Sequence, residues 1–522
     1  MLRTMAVLLF LLLAGAGLCG PVAAATTTPA HLLTLEDALL RGLENNYQLR
    51  AERLNLPISR ADITMETARF DPVADAGATV AAERQPTAAQ GYDDGYARWR
   101  RYHAEVGLGK KFLTGLEARL ALASERLGDS VTSGLDPEYR TYLVLDFVQP
   151  LLRNFGTAVN SSDLRSAEQR HQQSFFFYLD QAQRLAAEIE LAYFELARSR
   201  EILRLRIESR QLAETLLRGN QQKFDAGAVP ISEVQEALTA VAARDEQVIF
   251  ARQQMETAAH QLKGLIDISP ADPLADATLL TEPLPATEQP WPPLAAALDI
   301  ALAQRPDLDG QRREITRRDI RLAFYQNQTL PRLDLEASLG VNGLSGDLSD
   351  PNNSAARSNR GDYWRSVDSA ASGDGYQWFA GVRFEYPLGN RAARSRQQQA
   401  GHAKRQALYQ LKGLERRVET EVRNAFTTVE RSYERVAVAE RFQLLADQTL
   451  NQEMERLYEG LSDTFRILDF QDKVIEARIR RTNALADFNQ GLTSLFRAMG
   501  DNLERRGMLP DPAGEDFVHS RY

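Results

Sequence analysis

Two apolar rhythms alternate along this chain. From Leu151 to Val229 and again from Leu388 to Leu509, apolar residues recur at spacings of three and four on an otherwise charged background, and no proline interrupts either stretch. That pattern predicts very long helices. One from about Ala158 to Phe224 would run roughly 100 Å, one from Ile231 to Ile268 roughly 57 Å, and one from Leu35 to Phe70 roughly 54 Å with Pro57 as the expected kink. Two shorter helices laid end to end match the long one, so each half of the chain can form a rod of constant thickness about 100 Å long.

The second rhythm has period two. Leu333, Leu335, Ala337, Leu339 and Val341 fall on one face, and Arg332, Asp334, Glu336, Ser338 and Asn342 on the other. Before Pro387, Trp378, Ala380, Val382, Phe384 and Tyr386 alternate with Phe379, Gly381, Arg383 and Glu385. Strands of about ten residues with one apolar face, one charged face and aromatics near their ends fit a barrel in an outer membrane, with Trp378, Val382, Phe384, Tyr386, Leu333 and Leu335 turned to lipid. A half-buried strand of a soluble sandwich is the alternative, but no further strands are available here to build a second sheet.

The chain also repeats itself. Thr34 to Pro72 aligns without gaps to Pro293 to Pro331, pairing Leu35 with Leu294, Ala38 with Ala297, Leu43 with Leu302 and Leu49 with Leu308. Further on, Leu185, Ile189, Ala192 and Leu196 meet Val418, Val422, Ala425 and Val429, and Gly227 meets Gly460. The division expected is a signal peptide at 1–25, a first repeat at 26–277, a proline-rich linker at 278–293, a second repeat at 294–500 and a tail at 501–522. In the first repeat the strand counterparts are Ala74 to Glu83 and Tyr142 to Gln149.

Four strands cannot close a barrel, and an open edge in lipid leaves backbone groups unpaired. Three chains would supply twelve, so closure predicts a homotrimer whose helices continue the barrel as a tube. Between Glu83 and Gln149 the segments around Ala104, Val106 and Leu108 and around Ala118, Leu120 and Leu122 read as a further hairpin. If it joins the barrel, each chain gives six strands and the trimer eighteen. The second repeat has only a polar loop there (Asn342 to Tyr376), and that asymmetry favours four and twelve. Asp347 and Asp350 in this loop hint weakly at a cation.

Composition narrows the classes. Of 522 residues, 43% are hydrophobic and 25% charged, a balance foreign to disordered chains. The net charge of −9 weighs against a nucleic-acid partner. Arg3, the apolar run Ala6 to Leu18 and the small residues Val22 to Ala25 describe a secretory signal, too short to span a bilayer. Cleavage after Ala25 would remove Arg3 and the single cysteine, Cys19, taking the formal charge from −9 to −10. Lipidation at Cys19 is the alternative; the bulky Leu18 before it favours simple cleavage. The six histidines are scattered, and no phosphate loop or nucleophile elbow occurs. No enzyme activity, metal or cofactor is therefore expected.

Several motifs in this order carry a resemblance: Leu33 to Leu39 with Glu44-Asn-Asn46, Gln149 to Gly156, Tyr386 to Asn390, and Tyr458-Glu-Gly460 followed by Ile467-Leu-Asp469. Across essentially the whole mature chain the sequence resembles the TolC-like outer membrane efflux proteins. The resemblance implies an α+β membrane protein: a trimeric β-barrel and helical conduit reaching into the periplasm. It implies as partners a periplasmic adaptor and an inner-membrane pump of the RND or ABC class, with export of small molecules or polypeptides as the task. A conduit must be shut when no pump is docked, and the turns at Gly227 and Gly460 are the natural tips. The family places acidic rings near the second tip. Asp469 matches one such position, but Arg466 stands where an acid is usual, so a mixed ring of Arg466 and Asp469 bridging chains is the expectation. Asp463, Tyr458 and Arg456 are further gate candidates. Gly227, Glu233, Glu236, Gly460, Leu461 and Ser462 are candidate adaptor contacts.

Overall fold

The computed structural model describes residues 30–88, 95–128, 134–269, 271–286, 290–349, 353–510 and 517–519. The proposed signal segment with Cys19, and Asp350, lie outside the described residues.

Six strands lie side by side in chain order, every neighbour antiparallel: β1 (Val73–Pro86), β2 (Tyr96–Lys111), β3 (Glu117–Gly128), β4 (Leu135–Pro150), β5 (Arg332–Leu348) and β6 (Gly375–Glu385). The strand count corrects the preference for four. The hairpin β2–β3 is paired along its whole length, Val73↔Gly109 to Pro86↔Tyr96 on one side and Glu117↔Val148 to Leu127↔Glu138 on the other. Repeat symmetry argued against it, yet the backbone groups of two strands this long are satisfied only inside the sheet. Residues 342–376 also depart from a plain solvated loop. They extend β5 to Leu348 and form a helix, Tyr363–Ser372, whose Ser366 carbonyl sits where a Cβ on Gly343 would be. Thr141 and Ser366 share a hydrogen bond of 2.9 Å in that contact.

The long helices all leave from one end of the sheet, opposite the helix Tyr363–Ser372. Long helix α1 (Ser162–Asp225) turns at Gly227 into α2 (Ile231–Leu265), and α4 (Arg391–Tyr458) turns at Gly460 into α5 (Thr464–Met499); α3 (Pro306–Asn327) precedes β5. The two halves of the chain correspond down to individual dihedrals. Helices Leu35–Asn45 and Leu294–Gln304 both have eleven residues and both break at one extended residue, Asn46 (φ −58, ψ 117) and Arg305 (φ −66, ψ 123). The tip glycines match likewise, with φ of +71 at Gly227 and +75 at Gly460. The segment from Leu35 to Phe70 is therefore not one helix kinked at Pro57. It breaks at Asn46 and again near Leu54, and Pro57 sits in the first turn of Asn55–Thr67, where its missing N–H costs nothing.

Each long helix carries a buried stripe against its shorter companions. Leu39, Leu43, Ile189, Leu196, Leu262 and Ile266 fill one core; Leu308, Val422, Val429, Phe488 and Leu495 fill the other. Gly42 lets Ile189 approach its backbone, since a Cβ there would lie 2.2 Å from the Ile189 Cδ1. Around the waist, strand Thr278–Thr281 pairs in parallel with Ala30–Leu33, and Trp291 stacks edge-on against Phe488 at 5.7 Å. Beyond Gly500 the chain turns onto the first repeat: Asn502 donates to the Gln183 carbonyl at 2.8 Å, and Arg506 pairs with buried Glu190 at 3.0 Å. Among the described residues no helix is long and apolar enough to cross a membrane, which leaves the sheet untouched as a spanning element.

Candidate conduit: the two-faced sheet and the helical tips

Register sorts the sheet into two chemically distinct faces. One row runs Ala76, Val106, Leu122, Leu143, Val341 and Tyr376, and the next Ala74, Leu108, Leu120, Leu145, Leu339 and Trp378. Leu333, Leu335, Val382 and Phe384 continue this face, and Tyr386 follows directly after β6. These side chains are open rather than covered, with Trp378 69% exposed and Val106 60%.

The opposite face is charged and self-neutralising. Arg119 donates to Asp75 two strands away at 2.8 Å and also pairs with Glu105. Gly107 makes this crossing possible, because a Cβ there would lie 2.8 Å from Asp75 Oδ1 and 2.9 Å from Arg119 Nη2. Arg383 meets Glu336 at 3.0 Å, Arg332 meets Asp334 at 2.5 Å, and Arg101 pairs with Glu125. Strands with an open apolar face and an ion-paired polar face suit a lipid exterior and an aqueous lumen. Among the described residues the outer strands β1 and β6 have no further neighbour.

At the far end, the structure brings the two tips together. Thr464 donates to Glu233 at 2.8 Å and accepts from Asn220 at 3.1 Å, so the first and second turns are tied by side chains. Glu233 is thus half-buried in the junction, whereas Glu236 is exposed. Asp463 caps α5 by accepting from the Arg466 amide at 2.8 Å. Arg466 and Asp469 are not paired with each other within the chain: Arg466 reaches Glu453 at 3.9 Å, and Asp469 takes Lys473 at 2.6 Å. Glu453 is the residue that sequence reasoning missed. Only 5% exposed, it also receives Ser462 at 2.5 Å and Arg456 at 3.3 Å. The signal available was its position three residues before Arg456 on the buried stripe. Tyr458 and Leu461 stand free at the tip, 86% and 63% exposed.

From the tip, α5 runs antiparallel along α1 with polar ties at each level. Arg478 bridges Glu208 at 2.6 Å and Asp447 at 3.1 Å, Thr493 donates to Glu190 at 2.8 Å, and Arg497 meets Asp180 at 2.7 Å. Nearby, buried Arg244 of α2 takes Asp472 at 2.7 Å. At the waist Arg305, also buried, grips Asp307 at 2.7 Å and Glu421 at 2.5 Å. Burial works against ionisation of Asp307, but the Arg305 bond and charge outweigh it and hold the carboxyl below its ordinary value. Among the described residues no group of acids, histidines or cysteines is placed to hold a metal ion.

Residues 297–501 match the family described as outer membrane efflux protein. No curated protein matches the chain in sequence. Among solved structures, the fold is similar to the outer-membrane channel OprN, at 18% identity and TM-score 0.61, covering 89% of each chain. It is similar to the Campylobacter jejuni outer membrane channel CmeC, at 16% identity and TM-score 0.62, over 94% of this chain and 87% of that one. The Vibrio cholerae outer membrane protein VceC aligns at 14% identity and TM-score 0.60, over 89% and 96%. Residues 297–501 thus match the outer membrane efflux protein family, and nearly the whole chain shares the fold of outer-membrane channels.

Proposed function

We propose that three copies of this chain close into one channel-tunnel that serves as the passive exit duct of a tripartite export system. The observation that carries the reading is the sheet itself: an open apolar face, an ion-paired opposite face and two strand edges left unpaired among the described residues. In lipid such edges must be paired, and β6 of one copy against β1 of the next does so. Three copies of six strands give an eighteen-stranded barrel in place of twelve. In this reading residues 26–277 and 294–500 are two structural repeats joined by 278–293 and followed by a tail, with the signal segment removed.

The helical tips, Gly227, Glu233, Glu236, Gly460, Leu461 and Ser462, then form the docking end for a periplasmic adaptor, behind which an inner-membrane RND or ABC pump supplies the energy. The chain itself is not an enzyme. Asp469, Arg466, Asp463, Tyr458 and Arg456 form the periplasmic gate, with Glu453 holding its turn in place. The cargo is small molecules or polypeptides. The first test is the mass of the detergent-extracted particle from the outer-membrane fraction. A particle of three chains supports closure; a soluble monomer or dimer sinks the duct and leaves a periplasmic coiled-coil scaffold.

A further inference from the structure

The helix Tyr363–Ser372 does not stand in solvent above the sheet; it lies against one face of it. β4 and β5 pair in unbroken register from Glu138↔Gly346 to Pro150↔Asp334, so Tyr139, Thr141, Gly343 and Ser345 share the face of Leu143 and Val341. That is the open apolar face. The helix is fixed there at four points. Its Ser366 carbonyl stands where a Cβ on Gly343 would be, and the Ser366 and Thr141 hydroxyls bond each other. Ser345 donates to the Asp362 carbonyl at 2.7 Å, and the Tyr363 ring meets Tyr139 edge-on at 6.1 Å. Both ends are closed, by the Asp362 side chain accepting from the Arg365 amide at 3.2 Å and by Gly373 in the left-handed conformation. Ser366 and Ala370 are buried against the sheet, and helical periodicity turns Trp364 to the far side, where it is 71% exposed.

We propose that this helix lies outside the barrel wall and seats Trp364 in the headgroup layer of the outer leaflet. The proposal rests on the lipid-facing reading of the sheet given above. Height supports it. The outward aromatics Tyr376 on β6 and Tyr386 just past its end are ten residues apart, about 33 Å of strand, which at the tilt of a membrane barrel rises about 25 Å, the height of an apolar band. Tyr376 lies directly opposite Val341, and Gly343 follows two residues further on the same face. The helix is therefore seated about 5 Å above the upper aromatic level, at the end of the sheet away from the long helices. Composition supports it too. Trp364 presents a large ring with one N–H, and Arg365 and Asp368 stand exposed beside it. That mixture is at odds with hydrocarbon and suits the interface, where an indole meets apolar chains on one side and polar groups on the other.

The test uses the full mature protein in lipid vesicles, with Trp364→Cys, Leu339→Cys or Asp347→Cys each carrying a nitroxide. Paramagnetic resonance then reads collisions of the label with oxygen, which concentrates in lipid, and with a water-soluble nickel chelate. Leu339, on the apolar face, and Asp347, exposed at the loop end, bracket the helix. The oxygen-to-nickel ratio at position 364 should fall between the two, several-fold above that at 347 and below that at 339. A ratio equal to that at 347 puts the helix in water and overturns the proposal. Few collisions with either reagent mean that protein covers this side of the helix, which overturns it as well. The reading of the sheet is checked separately by position 339. A label there that reports water refutes the lipid-facing sheet and this proposal together; lipid at 339 with water or shielding at 364 refutes the placement of the helix alone.

Discussion

At the scale of single residues, the buried charges fix where the helices meet. Arg305 is 3% exposed, lies at the break between two helices, and packs against Gly500, where a Cβ would lie 2.9 Å from its Cγ. Removing one partner of a buried, hydrogen-bonded pair strands the other, so Arg305→Ala should cost about 3–5 kcal/mol, measured by denaturant unfolding of the solubilised protein. Its neighbour gives a pH signature. Because the Asp307 carboxyl is held below its ordinary value in the folded state, its contribution is complete above the unfolded pKa of about 4 and disappears as pH falls through the lower folded value. Thermal unfolding of wild type should therefore lose stability below about pH 4 more steeply than that of Asp307→Asn, and parallel curves would remove the pair from the account. Glu453 plays a comparable part at the tip. Glu453→Ala leaves Arg466, Arg456 and Ser462 without their common acceptor, a loss of about 2 kcal/mol that should speed hydrogen exchange of the 456–466 turn by roughly thirtyfold.

At the scale of elements, what was legible was whatever repeats locally. Long helices follow from the three-and-four spacing and the absence of proline, and the tips follow from Gly227 and Gly460. The faces of β5 and β6 were legible because alternation is strict there. The place of β2–β3 was not, because alternation tells which face a strand has and not which strand it joins; the Asp75–Arg119–Glu105 link that staples three strands is visible only in space. The breaks at Asn46 and Arg305 are different. Both breaks do have local causes, Pro306 disfavouring helix at Arg305 before it and Asn46 capping the next helix by accepting from the Leu49 amide at 3.0 Å, and tertiary bonds from Asn46 to the Leu265 carbonyl and from Arg305 to Glu421 then fix them. Glu453 escaped because an acid at a stripe position of a charged helix reads as a solvated residue until the fold buries it. The tip glycines yield their own prediction. Nothing lies within 4 Å of a Cβ placed on Gly460, so only its φ of +75 resists substitution. Gly460→Val should cost about 1–2 kcal/mol of local turn stability through that dihedral alone, read as faster exchange at the tip with an unchanged melting temperature.

At the scale of the whole molecule, the proposed assembly turns two unpaired edges into a testable junction. The only cysteine, Cys19, lies in the segment expected to be cleaved, so engineered cysteines report without background. Single cysteines placed along β1 from Ala74 to Ala82, each combined with one along β6 from Tyr376 to Val382, should cross-link copies on oxidation and give a ladder ending at three chains. A ladder running beyond three, or no cross-link for any pair, would break the closure argument. The same geometry decides where resistance lies. Barrel diameter grows with strand number, so an eighteen-stranded lumen is wide and the helical tips are the narrow element in series with it. Ion flow should then respond to the tips and ignore the sheet. If the proposed gate lies at the tips, Arg466→Ala with Asp469→Ala should raise leak current and shift cation selectivity, because both residues carry exposed charge beside the Gly460 turn. Arg383→Gln, on the polar face of β6, should leave single-channel conductance as it was. If the strand variant changes the current and the tip variant does not, the constriction sits in the membrane and the gate assignment fails.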